Sequence, residues 1–246
     1  MKAIGITATD TEFGKTVVSA CMAAGFKQMG LDTGVFKPAA SGCVRRADGK
    51  LVSEDAELLM KGAGMPVEQH DKVVPYVLEA ALAPAEASKL AGIRLDSKIM
   101  EQAAHNMINE HEVTVVEGVG GISAPLTDDY LVKDFFKELH LPVIIVVKPL
   151  LGNVNHAVLS AYYAQHEGLK VLGFIVNGWD ETHAGVLERS NLYYYEKLTG
   201  LPVLGKLPVL DKELLSGDDL TQAGKIAAAN IDLERIYKLV EAHGNE

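Results

Sequence analysis

Short apolar runs rich in valine and isoleucine recur along the chain: "KAIGIT" from Lys2, "TGVFK" from Thr33, "VTVVE" from Val113, "PVIIVV" from Pro142, "VLGFIVN" from Val171 and "PVLGKLP" from Pro202. Runs that are apolar throughout, rather than alternating with polar residues, mark strands covered on both faces and hence a parallel sheet. Between them, the spacing of apolar positions predicts helices at about Lys15 to Met29, Glu54 to Lys61, Pro84 to Ala91, Ser97 to Asn109, Leu131 to Leu139, Val154 to Glu167, Gly185 to Leu198 and Leu233 to Ala242. This alternation predicts an α/β fold, with a mostly parallel central sheet and helices on both faces. No Ser/Gly linker, low-complexity tract or fixed repeat interrupts it, so one domain over residues 1–246 is expected. The segment from Leu210 to Ile231, containing "LSGDDLTQ", reads as a loop-rich excursion before the last amphipathic helix.

Composition narrows the class of partner. A formal net charge of -10 opposes a polyanion-binding surface, so no nucleic acid is expected. Cys21 and Cys43 cannot build a disulfide framework and have no C-x-x-C spacing, which suits a reducing, cytoplasmic setting. The longest apolar run, "LPVIIVV" from Leu141, is far shorter than the roughly 20 residues of a membrane-spanning helix. Met1-Lys2 and the short apolar segment after them have no signal-peptide pattern, so a soluble protein without a membrane partner is expected.

In open α/β sheets ligands bind beyond the carboxyl ends of the strands. The first run leads into "ATDTEFGKT", Ala8 to Thr16, whose Gly14-Lys15-Thr16 is the tail of a phosphate-binding P-loop placed between a strand and a helix. In that role Lys15 neutralises the β and γ phosphates and Thr16 ligates Mg²⁺. The later runs end in Lys37, Glu117-Gly118, Lys148, Asn177 and Pro208. Glu117 stands where a Walker-B-like acid would help hold magnesium. Gly118, Gly120 and Gly121 suggest backbone brought against a ligand, although tight turns explain glycine equally well. Asp55, in "SEDAELL", sits at a predicted helix start, where an acid is an ordinary dipole partner. The eight histidines form no H-E-x-x-H pattern, and no G-x-S-x-G elbow is present. Cys21, on the P-loop helix, reads as a small buried hydrophobe, and the "YYYEKL" run from Tyr193 as helix packing.

On these motifs the chain resembles the dethiobiotin synthetases, P-loop enzymes of biotin biosynthesis. Their signature is a lengthened loop, G-T-D-T-x-[VF]-G-K-T, matched here by "ATDTEFGKT". The resemblance continues through "FKPAASG" (Phe36 to Gly42), "EDAELL" (Glu54 to Leu59), "VVEGVGGISAPL" (Val115 to Leu126), "PVIIVVKPLLGNVNHAVLS" (Pro142 to Ser160), "GFIVNGW" (Gly173 to Trp179) and "PVLGKLP" (Pro202 to Pro208). It implies a P-loop NTPase fold and an ATP- and Mg²⁺-dependent ring closure of diaminopelargonic acid with CO2, giving dethiobiotin, ADP and phosphate by way of a carbamate and its mixed anhydride. It implies catalytic roles for Lys37, Lys15 and Thr11, and magnesium held by Thr16, Asp55 and Glu117. Nucleotide contacts fall on Glu12, Phe13, Gly14, Lys15, Thr16 and Val17, on Asp55, on Glu117 to Gly120 including Gly118 and Val119, and on Asn177, Gly178, Pro208, Val209 and Leu210. Substrate contacts fall on Ser41, Gly118 and Asn153, the last at a homodimer interface.

Two departures stand out. Ala8 replaces the loop's first glycine, which matters if that position needs φ > 0 and little if it is extended strand. Leu150 and Asn153 stand where many relatives have glycine and threonine. Three other readings compete. A MinD- or ParA-like switch ATPase would carry a signature lysine in the first half of the loop, where this chain has Ala8-Thr9-Asp10-Thr11. An amidotransferase-type synthase would append a glutaminase domain. A scaffold without turnover would not be expected to keep Lys15, Thr16, Lys37 and Glu117 together.

Overall fold

The structure, a computed structural model, describes residues 2–217 and 219–244. All six apolar runs form strands: β1 (Ala3–Ala8), β2 (Thr33–Phe36), β3 (Val113–Gly121), β4 (Val143–Val147), β5 (Val171–Trp179) and β6 (Val203–Pro208). They make one sheet in the order β6-β5-β4-β1-β3-β2, with every pairing parallel. Every residue of β1, β2 and β4 is buried, the signature of a sheet covered on both faces. The chain leaves β1 in one direction, to β2 and back to β3, and then runs the other way to β4, β5 and β6. The direction of winding therefore reverses beside β1, and the crevice for a ligand opens at the carboxyl ends of β1 and β3.

Ala8 closes β1 as an extended residue, and the positive φ values of the loop fall at Glu12 (61°) and Gly14 (83°). The missing glycine is thus at a position where alanine is at ease. Gly14 caps the following helix, α1 (Lys15–Gln28), in the left-handed conformation, and a Cβ there would run into the Asn177 side chain, so this glycine is required twice over. The strand β3 extends past Glu117 to Gly121 because Ala8 pairs with Gly121 beyond a bulge, so Glu117 lies within a central strand rather than at its tip.

The region expected to be loop-rich, from Leu210 to Ile231, instead holds helices at Lys212–Ser216 and Thr221–Asn230. The longer one, "TQAGKIAAAN", was hidden by its small residues, which give little contrast between faces, and by a glycine that normally weakens helices. That glycine is a contact surface: a Cβ on Gly224 would lie 2.7 Å from the Ala24 carbonyl oxygen of α1. On its other side α1 meets helix α2 (Glu54–Ala63), where a Cβ on Gly62 would collide with the Ala20 carbonyl. The P-loop helix is therefore gripped between two backbones at close range, which only glycine permits. Cys21 lies wholly within this packing, and burial pushes its thiol up to about 12. Two short hairpins, Val44–Arg45 with Leu51–Val52 and Pro125–Thr127 with Tyr130–Leu131, carry no apolar run and were not anticipated. Among the described residues no helix is long and apolar enough to cross a membrane.

Candidate active site

At the crevice, the end of β2, the middle of β3 and two helix starts bring their polar residues together. Lys37 follows β2 and points back under the sheet edge, where its ammonium lies 2.5 Å from Glu117 Oε1 and 2.8 Å from Asp55 Oδ2. Thr16, at the second position of α1, donates its hydroxyl to the same Glu117 oxygen at 3.0 Å. Asp55 occupies the first turn of α2, whose N-cap Ser53 accepts from the Ala56 N–H. The sequence therefore places Asp55 by a cap and Glu117 by a strand, and the two carboxylates meet across Lys37.

Burial sets the electrostatics. Glu117 is fully buried, and a carboxylate without water requires compensating charge and hydrogen bonds. Its Oε1 has both, whereas its Oε2 is buried without a hydrogen-bond partner among the described residues. For Lys37, burial alone works against the ammonium, but the charges of Glu117 and Asp55 outweigh it and hold the group above the usual lysine range. Asp55 is half exposed; the partial loss of water on its inner side opposes ionisation, and Lys37 more than offsets it, leaving the carboxyl below the usual range. Lys15 is the contrary case. Burial is the main influence on it, the charge of Glu117 offsets this only in part, Lys37 adds repulsion, and its ammonium is lowered from the ordinary value.

The oxygens of Thr16, Asp55 and Glu117, one of them buried and unpartnered, suit a small hard cation that takes water and phosphate as its remaining ligands. Among the described residues no three His, Cys, Asp or Glu converge as in a protein-only metal cage.

The lengthened loop is held by side chains from the neighbouring elements. Lys148, after β4, donates to the Glu12 carbonyl at 2.9 Å and stands over the Phe13 ring, and Asn177 of β5 donates to the Phe13 carbonyl at 3.0 Å. Thr11 and Glu12 are exposed, Phe13, Thr16 and Val17 half-buried. Gly120 comes close to the loop, since a Cβ there would lie 3.9 Å from the Thr11 hydroxyl; Gly118 is buried and Val119 half-buried beside it. Ser41 is half-buried on the run after Lys37.

Beyond the loop, a cavity of about 320 Å³ is bounded by Lys148, Asn177, Gly178 and Val209 together with Leu150, Asp180, His183 and Glu188. Pro208 and Leu210 flank Val209 in sequence but do not line it. Asp180 directly follows β5, and His183 and Glu188 lie a few residues farther on, so only their place after that strand could draw attention to them. A larger cavity, about 440 Å³, lies at the opposite, amino ends of the strands between Ala3, His105, Leu141 and His243 and holds none of the predicted residues.

Asn153 is engaged within the fold. It starts the Asn153–His166 helix, but it is 2% exposed and its amide is used internally: Nδ2 donates to the Thr9 hydroxyl at 3.2 Å, and Oδ1 accepts from Tyr195 at 3.2 Å. Its backbone N–H donates to the Leu150 carbonyl. Asn153 in this fold is a buried strut beneath the loop, its side chain held between Thr9 and Tyr195.

The chain matches the family model described as "AAA domain" over residues 2–213. It is 41% identical over 223 residues to the ATP-dependent dethiobiotin synthetase BioD of Bacillus thuringiensis (strain Al Hakam), spanning 91% of this chain and 90% of that protein. It is 41% identical over 247 residues to the enzyme of the same name from Bacillus cereus (strain B4264), spanning 100% and 97%. Among solved structures it is similar to the ParA family ATPase from Chlorobium tepidum TLS, with a TM-score of 0.54 and 16% identity over 98% of both chains. It is also similar to the septum site-determining protein MinD complexed with Mg-ADP from Pyrococcus horikoshii OT3, with a TM-score of 0.55 and 16% identity over 98% and 95%. Likeness at such low identity speaks for the P-loop NTPase fold alone, whereas identity above 40% along nearly the whole length speaks for kinship: the chain belongs to the ATP-dependent dethiobiotin synthetase family.

Proposed function

We propose that the protein closes the ureido ring of dethiobiotin from 7,8-diaminopelargonic acid, CO2 and ATP. The observation that carries this reading is the pairing of Lys37 with two carboxylates, one of which also accepts from Thr16, at the mouth of a lengthened P-loop. One amine of the substrate attacks CO2 and loses a proton, giving a carbamate. A carbamate oxygen attacks the γ-phosphorus, the bond to ADP breaks, and a carbamic-phosphoric mixed anhydride results. The second amine attacks the carbonyl carbon, phosphate leaves, and the amine proton is lost. Both partners of the second step are anions, so the chain must supply positive charge between them, and rate comes chiefly from positioning and electrostatics.

In this reading Lys37, kept charged by its carboxylates, faces the carbamate and γ-phosphate, and Lys15 takes the β and γ phosphates. The Glu12 to Val17 loop cradles the phosphates with its backbone. Thr16, Asp55 and Glu117 would hold the Mg²⁺ ion, which screens phosphate charge when bound. Thr11, Ser41 and the Gly118 to Gly120 backbone lie toward the substrate. Asn177, Gly178 and Val209 border the cavity assigned to the base, with Pro208 and Leu210 shaping the segment that carries Val209. The active form is a homodimer with the substrate carboxylate at the interface. A single active domain spanning the chain and a cytoplasmic location complete the reading.

The decisive experiment supplies ATP, Mg²⁺, bicarbonate and the diamine and looks for dethiobiotin by mass spectrometry. Product that appears only with all four supports the assignment. ATP hydrolysis indifferent to the diamine overturns it.

A further inference from the structure

Lys37 and Asp55 come from different elements, and a third piece of chain ties their backbones together. The short helix His70–Val73 lies beside both. At its start, the buried His70 accepts the Ser53 N–H on Nε2 at 3.1 Å; at its end, the Val73 carbonyl accepts the Lys37 N–H at 2.9 Å. Ser53 is the N-cap of α2, buried to 2% exposure and two residues before Asp55. Farther along, Tyr76 O accepts from the Ala40 N–H, and Ala40 O from the Leu78 N–H, so the same segment continues to line the run that follows Lys37.

The Ser53 bond also fixes the state of the imidazole. A backbone N–H can only donate, so Nε2 must be the unprotonated nitrogen and the proton sits on Nδ1. There it faces Asp71 Oδ1 at 3.2 Å, and Asp71 in turn meets Lys50 of the exposed hairpin at 3.3 Å. An imidazolium would present a second donor to Ser53 and lose this bond.

We propose that His70, as its Nδ1–H tautomer, is a positioning residue that sets the entry of α2, and through it the placement of Asp55 against Lys37. This rests on the reading above, in which Asp55 helps to hold Mg²⁺ at the nucleotide phosphates. His70 touches neither substrate nor ion. It acts through the N-cap, as partners beyond the ligands commonly do in metal sites.

The test compares ADP affinity with and without Mg²⁺ in the wild type, His70→Phe, which fills the space without an acceptor, and His70→Gln, whose Oε1 can replace Nε2. The Phe variant is expected to lose at least about fivefold of the affinity gained from Mg²⁺, the size of one net hydrogen bond. Its ADP affinity without the ion should stay at the wild-type value, because the P-loop is untouched. The Gln variant should recover the gain to within about twofold. An unchanged gain in the Phe variant, or an equal loss in Gln and Phe, overturns the proposal, since a purely structural histidine would change melting temperature alone. A wild type that gains nothing from Mg²⁺ instead overturns the reading of Asp55 on which the proposal stands. Nitrogen-15 NMR of the wild-type protein decides the matter should the variants fail to fold: Nε2 must be the unprotonated nitrogen at neutral pH, and the opposite tautomer or an imidazolium refutes the role.

Discussion

The crevice holds two buried lysines in opposite circumstances. Lys37 is enclosed by Glu117 and Asp55 within 2.8 Å, and these charges raise its affinity for a proton above that of a free lysine. Lys15 is also buried, yet among the described residues no carboxylate lies within salt-bridge distance of it, and burial lowers its affinity for a proton. One lysine is already compensated; the other awaits an anion. The first is built into the fold and the second is held against the fold's interest, which is the mark of a group kept for a ligand.

Substituting each lysine separates the two. Lys37→Ala leaves Glu117 buried and unpaired, so about 3–5 kcal/mol of stability should be lost, seen as a lower denaturation midpoint. In the fraction that folds, turnover should fall by at least about a hundredfold while nucleotide still binds, as expected of a charge that acts mainly in the transition state. Lys15→Ala should do the reverse, abolishing nucleotide binding while the melting temperature holds or rises. Equal stability losses in the two variants would erase the distinction between the lysines.

A gentler probe is pH. Below its lowered pKa, Lys15 is charged with or without nucleotide, and the dissociation constant is flat. Above that pKa, binding must take up a proton, so the dissociation constant should climb by up to about tenfold per pH unit. The climb should begin below the ordinary lysine range. Lys37, raised by its carboxylates, stays charged throughout that window and contributes no slope. The acid side belongs to Asp55. Its folded pKa is depressed, so its pairing with Lys37 is fully present above the ordinary carboxylate range and is lost only as pH falls through the lower value. Calorimetric titrations of ADP across the alkaline range, with Lys15→Ala as the flat control for any residual binding, would reveal a slope of the wrong sign.

This contrast was half visible in the sequence. The strands were legible because each is a run of apolar residues with no competing pattern, and Lys37 and Asn177 were legible because they follow such runs directly. The site's side-chain partners were not. That Lys37 meets Asp55 depends on the angle at which α2 enters, and an acid in a first helical turn looks the same whether it serves the dipole or a lysine. The surroundings of Asn153 are equally invisible in the sequence, because Tyr195 and Thr9, which hold its side chain, lie 42 and 144 residues away in the chain. The Thr221–Asn230 helix was missed for a related reason, since close backbone packing selects small residues and so removes the apolar stripe by which a helix is recognised.

That helix offers a way to disturb one lysine and spare the other. Gly224 lies against the Ala24 carbonyl on α1, the helix that begins with Lys15. Gly224→Val should force the helices apart at a cost of about 1–3 kcal/mol. Nucleotide affinity should weaken by about three- to tenfold, a shift of similar or smaller energy, while turnover at saturating nucleotide stays within about twofold. Loss of turnover with affinity intact would mean that α1 governs Lys37 rather than Lys15.

The smallest effect concerns the residue at which the loop departs from its relatives. Ala8 is an extended, buried residue of β1, pairs with Gly121 of β3 and Val146 of β4, and lies outside the positive-φ positions of the loop. A glycine here gains no conformation that the loop uses; it adds freedom only to the unfolded chain and removes a methyl from the core. Ala8→Gly, although it restores the family's signature, should therefore lower stability by about 0.5–1 kcal/mol and leave ADP affinity within about twofold. Denaturant titration and calorimetry on the same protein check the two halves together. A tighter nucleotide complex in the glycine variant would mean that the loop before Lys15 rearranges on binding through φ values that alanine resists, and Lys15 would then owe its readiness for an anion to loop motion as well as to burial.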